Sequence, residues 1–311
     1  MRSLRAARRA AIGVDIKPSP FTDRVGSISD RDFIRQSMAG VKAVIHAATL
    51  HKPHVATHAD QDFLDTNLTG TLVLLEAAVA AGVASFVFTS TTSAFGSALT
   101  PTAGEPAAWV TEDVVPVPKN IYGVTKHAAE SLCELFARRR RLPVIVLRTS
   151  RFFPEADDDA AIRGNYPLAN VQANELLYRR VDIEDVVSAH LLAVDKAPAI
   201  GFGRYIISAT TPFSRDDLAT LRRDAPAVVR RLFPDCEPLF AARNWSLFPK
   251  IDRVYVNRLA MAKLDWRPKY DFRFVLDCLR GDQDFRSPLA RDVGSKGYHA
   301  TVFAEGPYPV A

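Results

Sequence analysis

The chain has 311 residues, a length that suits one large domain or two interleaved ones and can bury a sizeable core. Its 48% apolar and 24% charged residues exclude wholesale disorder, and no window of ~18 uninterrupted apolar residues marks a membrane span. Lys and Arg total 40 against 35 Asp and Glu, a net charge of +5 that is too mild to argue for a nucleic-acid partner. The three cysteines, Cys133, Cys236 and Cys278, form no CxxC and no metal-ligand spacing. A reduced, cytoplasmic setting is the simplest account of them.

In chain order, residues 11–16 predict a short strand that ends near Asp15. Residues 30–39 predict a helix after Ser29 as N-cap, with Asp32 three positions on as a capping-box analogue. Residues 42–48 predict an apolar strand. Residues 59–81 carry Leu68, Leu72, Leu75 and Val79 at helical spacing and stop at Gly82. A strand follows over 84–90, then a helix over 122–140 beyond the Pro-rich stretch of Pro116 and Pro118. Arg138 to Arg141 close that helix, where the macrodipole favours cations, so they read as a solvated helix end. Arg222, Arg223, Arg230 and Arg231 read the same way. Strands at 143–148 and 204–208 flank a helix at 183–195. The strands are continuous apolar runs, as expected of parallel strands covered on both faces. The rhythm predicts an α/β fold with a doubly wound parallel sheet. The first lobe spans 1–150 and is rejoined by 181–208. A smaller lobe takes 151–180 and 209–286, and 287–311 is a tail lying as an extended strap or frayed end.

Tyr122-Gly-Val-Thr-Lys126 is a YxxxK. Positions i and i+4 share a helix face, so phenol and ammonium can point into one cleft. A neighbouring ammonium favours the phenolate, which makes the tyrosine a usable acid or base near neutral pH. By itself the pair is also an ordinary helix-surface contact. Strand 84–90 runs into Thr89-Ser90-Thr91-Thr92-Ser93, hydroxyls at the carboxyl end of a strand, where open α/β sheets bind ligands.

Six ordered segments resemble the extended short-chain dehydrogenases/reductases, also called the NAD-dependent epimerase/dehydratase family. They are Val44-Ile45-His46-Ala47-Ala48, Asn67-Leu68-Thr69-Gly70-Thr71 leading into Leu74-Leu75-Glu76-Ala77-Ala78, and Phe86-Val87-Phe88-Thr89-Ser90-Thr91. The YxxxK, Val181-Asp182-Ile183-Glu184-Asp185-Val186 and Leu264-Asp265-Trp266-Arg267-Pro268 complete the set, which spans roughly residues 11 to 281. The resemblance implies a Rossmann-like fold in which the first lobe binds NAD and the second binds substrate. It implies that Tyr122 is the catalytic acid/base, that Lys126 binds the nicotinamide ribose and tunes Tyr122, and that Thr91 is the catalytic hydroxyl. It places Ala47, Ala48 and Asn67 along the cofactor and Asp15 on the adenosine ribose. A carboxylate there repels a 2′-phosphate and favours NAD over NADP, with Lys17 tempering the preference. It also implies a homodimer through helices 59–81 and 122–140.

The chain departs from this pattern at its start. The family opens with a strand and a Gly-rich turn that cradles the pyrophosphate at a helix N-terminus. Residues 1–10 instead resemble the back half of the helix that follows such a turn, and the first glycine is Gly13. Judged against a ~30-residue βαβ unit, about 20 residues are wanting. An Arg-rich, acid-free start also fits a short targeting peptide. Without the central strand, two inner sheet edges are expected to stay unpaired, or the second family strand to pair with the fourth. In the smaller lobe, Arg151, Arg179, Arg180 and Arg253 are candidates for a substrate diphosphate, and His51, Lys52 and His54 for reaching the active site. No metal site is expected, because HKPH lacks a carboxylate cluster. Two functions follow. One is an NAD-dependent epimerase, dehydratase or dehydrogenase acting on a sugar nucleotide or similar hydroxyl compound. The other is a non-catalytic remnant or binding protein of the same fold.

Overall fold

The computed structural model describes residues 1–157, 159–295, 297, 299 and 303. The chain divides into two compact units, the first made of residues 1–90, 120–147 and 190–204, the second of 91–119, 148–189 and 205–311.

The first unit opens with a one-turn helix, α1 (Arg2–Ala6). Two very short strands, β1 (Val14–Asp15) and β2 (Arg24–Val25), pair in parallel. Helix α2 (Arg31–Ser37) is capped by Asp30, whose carboxylate accepts the N–H groups of Asp32 and Phe33, both at 3.0 Å. Ser29, the expected cap, instead donates its hydroxyl to the carbonyl of Asp65 at 2.7 Å. Strand β3 (Ala43–His46) is followed by α3 (Asp60–Phe63), a π-helical stretch Leu64–Thr69 and α4 (Gly70–Ala80). Gly82 takes a positive φ of 63° just past this run, the left-handed turn a glycine allows at a helix end. By length and composition, Asp60–Ala80 is the one helix among the described residues that could cross a membrane. It carries Asp60, Asp62 and Asp65 at its start and packs α4 on α2 and on α5 (Ile121–Arg140), as a core helix does.

Strand β4 (Ser85–Thr91) lies next to β3 in parallel, with Ala43 opposite Ser85 and His46 opposite Phe88. With β5 (Ala108–Val110) numbered in chain order, β6 (Val144–Thr149) and β7 (Phe202–Ile207) complete a four-stranded sheet of order β3-β4-β6-β7. Leu74, Leu75, Ala78, Phe86, Phe88, Ala129, Cys133, Val144 and Val146 are among the residues that fill this unit's core. The β1–β2 pair is a separate sheet, and among the described residues no strand joins it to β3. Both inner edges are therefore unpaired, the first of the two expected outcomes. The apolar side chains there report the same thing: Ile12, Ile16 and Ile45 are exposed, although Ile45 sits in mid-strand. Backbone groups on such edges are left to water.

The second unit pairs β5 in parallel with β8 (Arg253–Tyr255). That pairing, and the packing of Phe95, Leu99 and Val110 against Ile206 and Tyr255, draws residues 91–119 into this unit rather than leaving them in a continuous 1–150 lobe. The rest is helical: α6 (Ala160–Asn165), α7 (Leu168–Leu176), the start of α8 (Ile183–Ile200, whose residues 190–200 belong to the first unit), α9 (Leu218–Leu221), α10 (Ala225–Leu232), α11 (Cys236–Ala241), α12 (Arg258–Leu264), α13 (Phe272–Arg280) and α14 (Pro288–Val293). The expected strap or frayed end at 287–311 begins instead with α14, capped by Ser287, and most of the remainder lies outside the described residues. Two of the family-like segments meet here. Trp266, fully buried, donates its indole N–H to the carbonyl of Asp185 at 3.1 Å. The Asp185 carboxylate accepts the backbone N–H groups of Lys269 and Tyr270 at 3.0 Å, and burial pushes its pKa up to about 6.

Candidate active site

Helix α5 starts where the Asn120 side chain accepts the N–H of Gly123 at 3.0 Å, which fixes the register of the turn carrying Tyr122. Tyr122 is 6% exposed and Lys126, one turn on, 2%. The Lys126 ammonium donates to the carbonyl of Thr89 at 2.7 Å and sits 4.1 Å from the centre of the Phe88 ring. Burial drives its pKa down to about 7, against the opposing pull of Cys133 and Glu130. Thr89 is itself held, its hydroxyl hydrogen-bonded to His190 Nε2 at 2.8 Å.

Glu130, at the next turn of the same face, is fully buried and meets Arg204 at 3.2 Å and the Ser90 hydroxyl at 2.5 Å. Glu130 was not singled out from sequence. The signal for it was its spacing, four residues beyond the lysine of the YxxxK.

Residues 47–55 form the loop beside Tyr122. Ala47 and Ala48 are exposed just past β3, an open position a cofactor can reach. Asn67 is 2% exposed, and its Oδ1 accepts the Thr49 hydroxyl and the Leu50 N–H, both at 2.8 Å. Its Nδ2 donates to the Leu50 carbonyl and to the Thr125 hydroxyl, both at 3.1 Å. These bonds hold the loop to α5. Thr125, which sequence reasoning missed, is the α5 end of that staple. His46 and Thr71 form a second buried link at 2.9 Å. Thr71 gives its proton to the Asn67 carbonyl at 2.6 Å, so His46 Nε2 is the donor and the imidazole is neutral. Burial, helped by Lys126, pushes the His46 pKa down to about 3.

His51 is brought to Tyr122, their ring centres 6.0 Å apart and inclined by 34°. Burial, Lys126 and His54 push its pKa down to about 3, so it too is neutral.

Asp15 is exposed at the end of β1, its Oδ1 accepting the Lys17 backbone N–H at 2.9 Å. Asp15, Ala47, Ala48, Tyr122 and Lys126 all belong to this first unit. Helix α1 precedes β1 instead of following a Gly-rich turn. Gly13 is a glycine for packing reasons, since a Cβ there would lie 1.8 Å from the Phe21 carbonyl oxygen.

Thr91 belongs to the second unit, 8% exposed, where its hydroxyl oxygen accepts the Ser93 N–H at 3.0 Å and caps the short turn Thr92–Phe95. Glu175, fully buried, binds Arg179 and Arg180 at 2.7 Å and Arg151 at 3.3 Å. Arg151 and Arg179 also share Asp157, and Arg180 donates to the Phe153 carbonyl at 2.9 Å. Arg253 pairs with Asp252 at 3.2 Å. Arg151, Arg180 and Arg253 each face a carboxylate of their own unit. Burial alone would raise the Glu175 pKa; the three guanidiniums outweigh it and hold it at about 2. Among the described residues no cluster of three or more metal-ligating side chains exists.

The parallel strands, intervening helices and Tyr–Lys pair define a short-chain dehydrogenase/reductase-type α/β protein. Residues 2–207 match the family described as the NAD dependent epimerase/dehydratase family, and the chain belongs to it. Among curated proteins, it is 32% identical to an NAD-dependent glucose-6-phosphate dehydrogenase of Haloferax volcanii over 40% of this chain and 48% of that one. It is 31% identical to a UDP-glucose 4-epimerase of Rhizobium meliloti over 40% of this chain and 36% of that one. The chain thus matches less than half the length of these relatives. Among solved structures, a short-chain dehydrogenase/reductase superfamily protein from Agrobacterium tumefaciens with bound NAD aligns with a TM-score of 0.60 and 21% identity, covering 94% of each chain. A UDP-glucose 4-epimerase from Thermotoga maritima with UDP-glucose aligns with a TM-score of 0.58 and 22% identity, covering 90% of this chain and 94% of that one.

Proposed function

We propose that this chain is an NAD-dependent oxidoreductase of the epimerase, dehydratase or dehydrogenase type, acting on a hydroxyl of a sugar nucleotide or similar sugar. The observation that carries the reading is the buried Tyr122–Lys126 pair on one face of α5, with the lysine pKa near 7. Tyr122 removes the proton of the substrate hydroxyl and returns it in the reverse direction. Lys126, anchored on Thr89, favours the phenolate and holds the nicotinamide ribose. Thr91 is the catalytic hydroxyl of this reading. Asp15 accepts the adenosine ribose hydroxyls and disfavours a 2′-phosphate, which makes NAD the better fit than NADP. NAD, when bound, accepts the carbinol hydride. The relatives named as UDP-glucose 4-epimerases support a sugar nucleotide as substrate.

The test is Tyr122→Phe with saturating NAD. Loss of a general acid/base is expected to lower kcat by ~10²–10⁴-fold. Near-normal kcat in the variant refutes the role. A homodimer through the 60–80 helical run and α5 is part of the same reading, supported by the half-buried Ala128 and Leu132 on α5. Sedimentation as a monomer at micromolar concentration counts against it.

A further inference from the structure

Lys126 owes its place to one peptide group. Its ammonium donates at 2.7 Å to the carbonyl of Thr89, and that carbonyl belongs to the bond joining Thr89 to Ser90 near the end of β4. Successive side chains of a strand point to opposite faces of its sheet, so Thr89 and Ser90 reach different helices. The Thr89 hydroxyl is hydrogen-bonded to His190 Nε2 on α8 at 2.8 Å. The Ser90 hydroxyl donates to Glu130 Oε1 on α5 at 2.5 Å. The carboxylate is held in turn: its Oε2 lies 3.2 Å from Arg204 Nε, and Arg204 also pairs with Glu134 at 2.9 Å. Ser90, Glu130 and His190 are all buried, so water competes little for these bonds. Every residue of this arrangement belongs to the first unit. The carbonyl that takes the ammonium is therefore gripped through the side chains on either side of it, from both faces of the sheet.

We propose that Glu130 and His190 are positioning residues, which clamp the Thr89–Ser90 peptide from the two faces of the sheet and so fix where the Lys126 ammonium sits, one turn of α5 beyond Tyr122. The proposal rests on the reading of Tyr122 and Lys126 as a catalytic pair. A lysine carries its ammonium on a flexible stem, and an acceptor of fixed direction is what selects one rotamer of it. Glu130 lies four residues beyond Lys126 on the same face of α5, so the helix that carries the ammonium is also tied to the strand that receives it. His190 supplies the matching tie from α8, without which the peptide is held on one face only. Neither residue takes part in proton or hydride transfer; each acts through Lys126.

The experiment follows the isotope-labelled Nζ of Lys126 by NMR at about pH 5, below the lysine pKa of about 7, where the ammonium is charged. Lys126→Met identifies the signal. Exchange of the ammonium protons with water is measured in the full chain and in Ser90→Ala, Glu130→Gln, His190→Ala and His190→Gln variants. Ser90→Ala removes the α5 tie at the strand, with the carboxylate left on Arg204, and His190→Ala removes the α8 tie. Each is expected to speed exchange at Lys126 about tenfold, the weight of one lost buried hydrogen bond. Glu130→Gln keeps an acceptor for Ser90, and His190→Gln an amide for Thr89, so both are expected to stay close to the unaltered rate. The backbone amides of Phe86, Val87 and Phe88 on β4 are the control. Unchanged exchange at Lys126 in both alanine variants overturns the proposal. So does a loosening that speeds the control amides as much as the ammonium, or a glutamine at 190 that restores nothing. Near-normal kcat in Tyr122→Phe overturns the reading of the pair instead, and the catalytic meaning of the clamp with it, even where exchange responds as expected.

Discussion

Replacing Glu175 by glutamine tests whether the arginines of the second unit are held by an internal charge. The glutamate is fully buried among Arg151, Arg179 and Arg180, and its pKa of about 2 lies well below the ordinary 4.5. A shift of that size, at ~1.4 kcal/mol per unit, corresponds to about 3 kcal/mol of stability. The sign follows from the depressed value. The contribution is complete above the unfolded pKa near 4.5 and is lost as pH falls toward 2. Breaking a buried pair by removing one partner costs ~3–5 kcal/mol. Glutamine keeps the shape and one acceptor, so the lower end applies. Urea unfolding of the chain and of Glu175→Gln at pH 7, 5 and 3 reads this directly. The variant is expected to be less stable by about 3 kcal/mol at pH 7 and 5, with the gap closing toward pH 3 and below. Equal midpoints at pH 7, or a gap that does not narrow in acid, refute the reasoning.

Other outcomes follow from the first unit. Asn67→Ala leaves the Leu50 N–H without its side-chain partner, while the Leu50 carbonyl keeps the Thr49 hydroxyl, at ~1–3 kcal/mol for a buried group that stays unpaired. It is expected to lower the unfolding midpoint and to expose the 47–55 loop to amide exchange; unchanged protection at Leu50 refutes the anchoring role.

The local chemistry of the sequence determined the order of strands and helices, because apolar runs and 3.6-residue periodicity need only neighbours along the chain. It also placed Tyr122 and Lys126 on one face, since an i, i+4 pair is fixed by helix geometry alone. Residues whose meaning depends on partners far along the chain were not legible. The link from Asn67 to Leu50 and Thr125, 17 and 58 positions away, exists only in the folded chain. So does the pairing of Arg151 with Glu175, 24 positions on. Residues 91–119 read as part of a continuous first lobe until β5 finds β8. A side chain's type limits what it can bind, but only the fold decides which partner reaches it first, because a buried charge or amide takes whatever neighbour satisfies it.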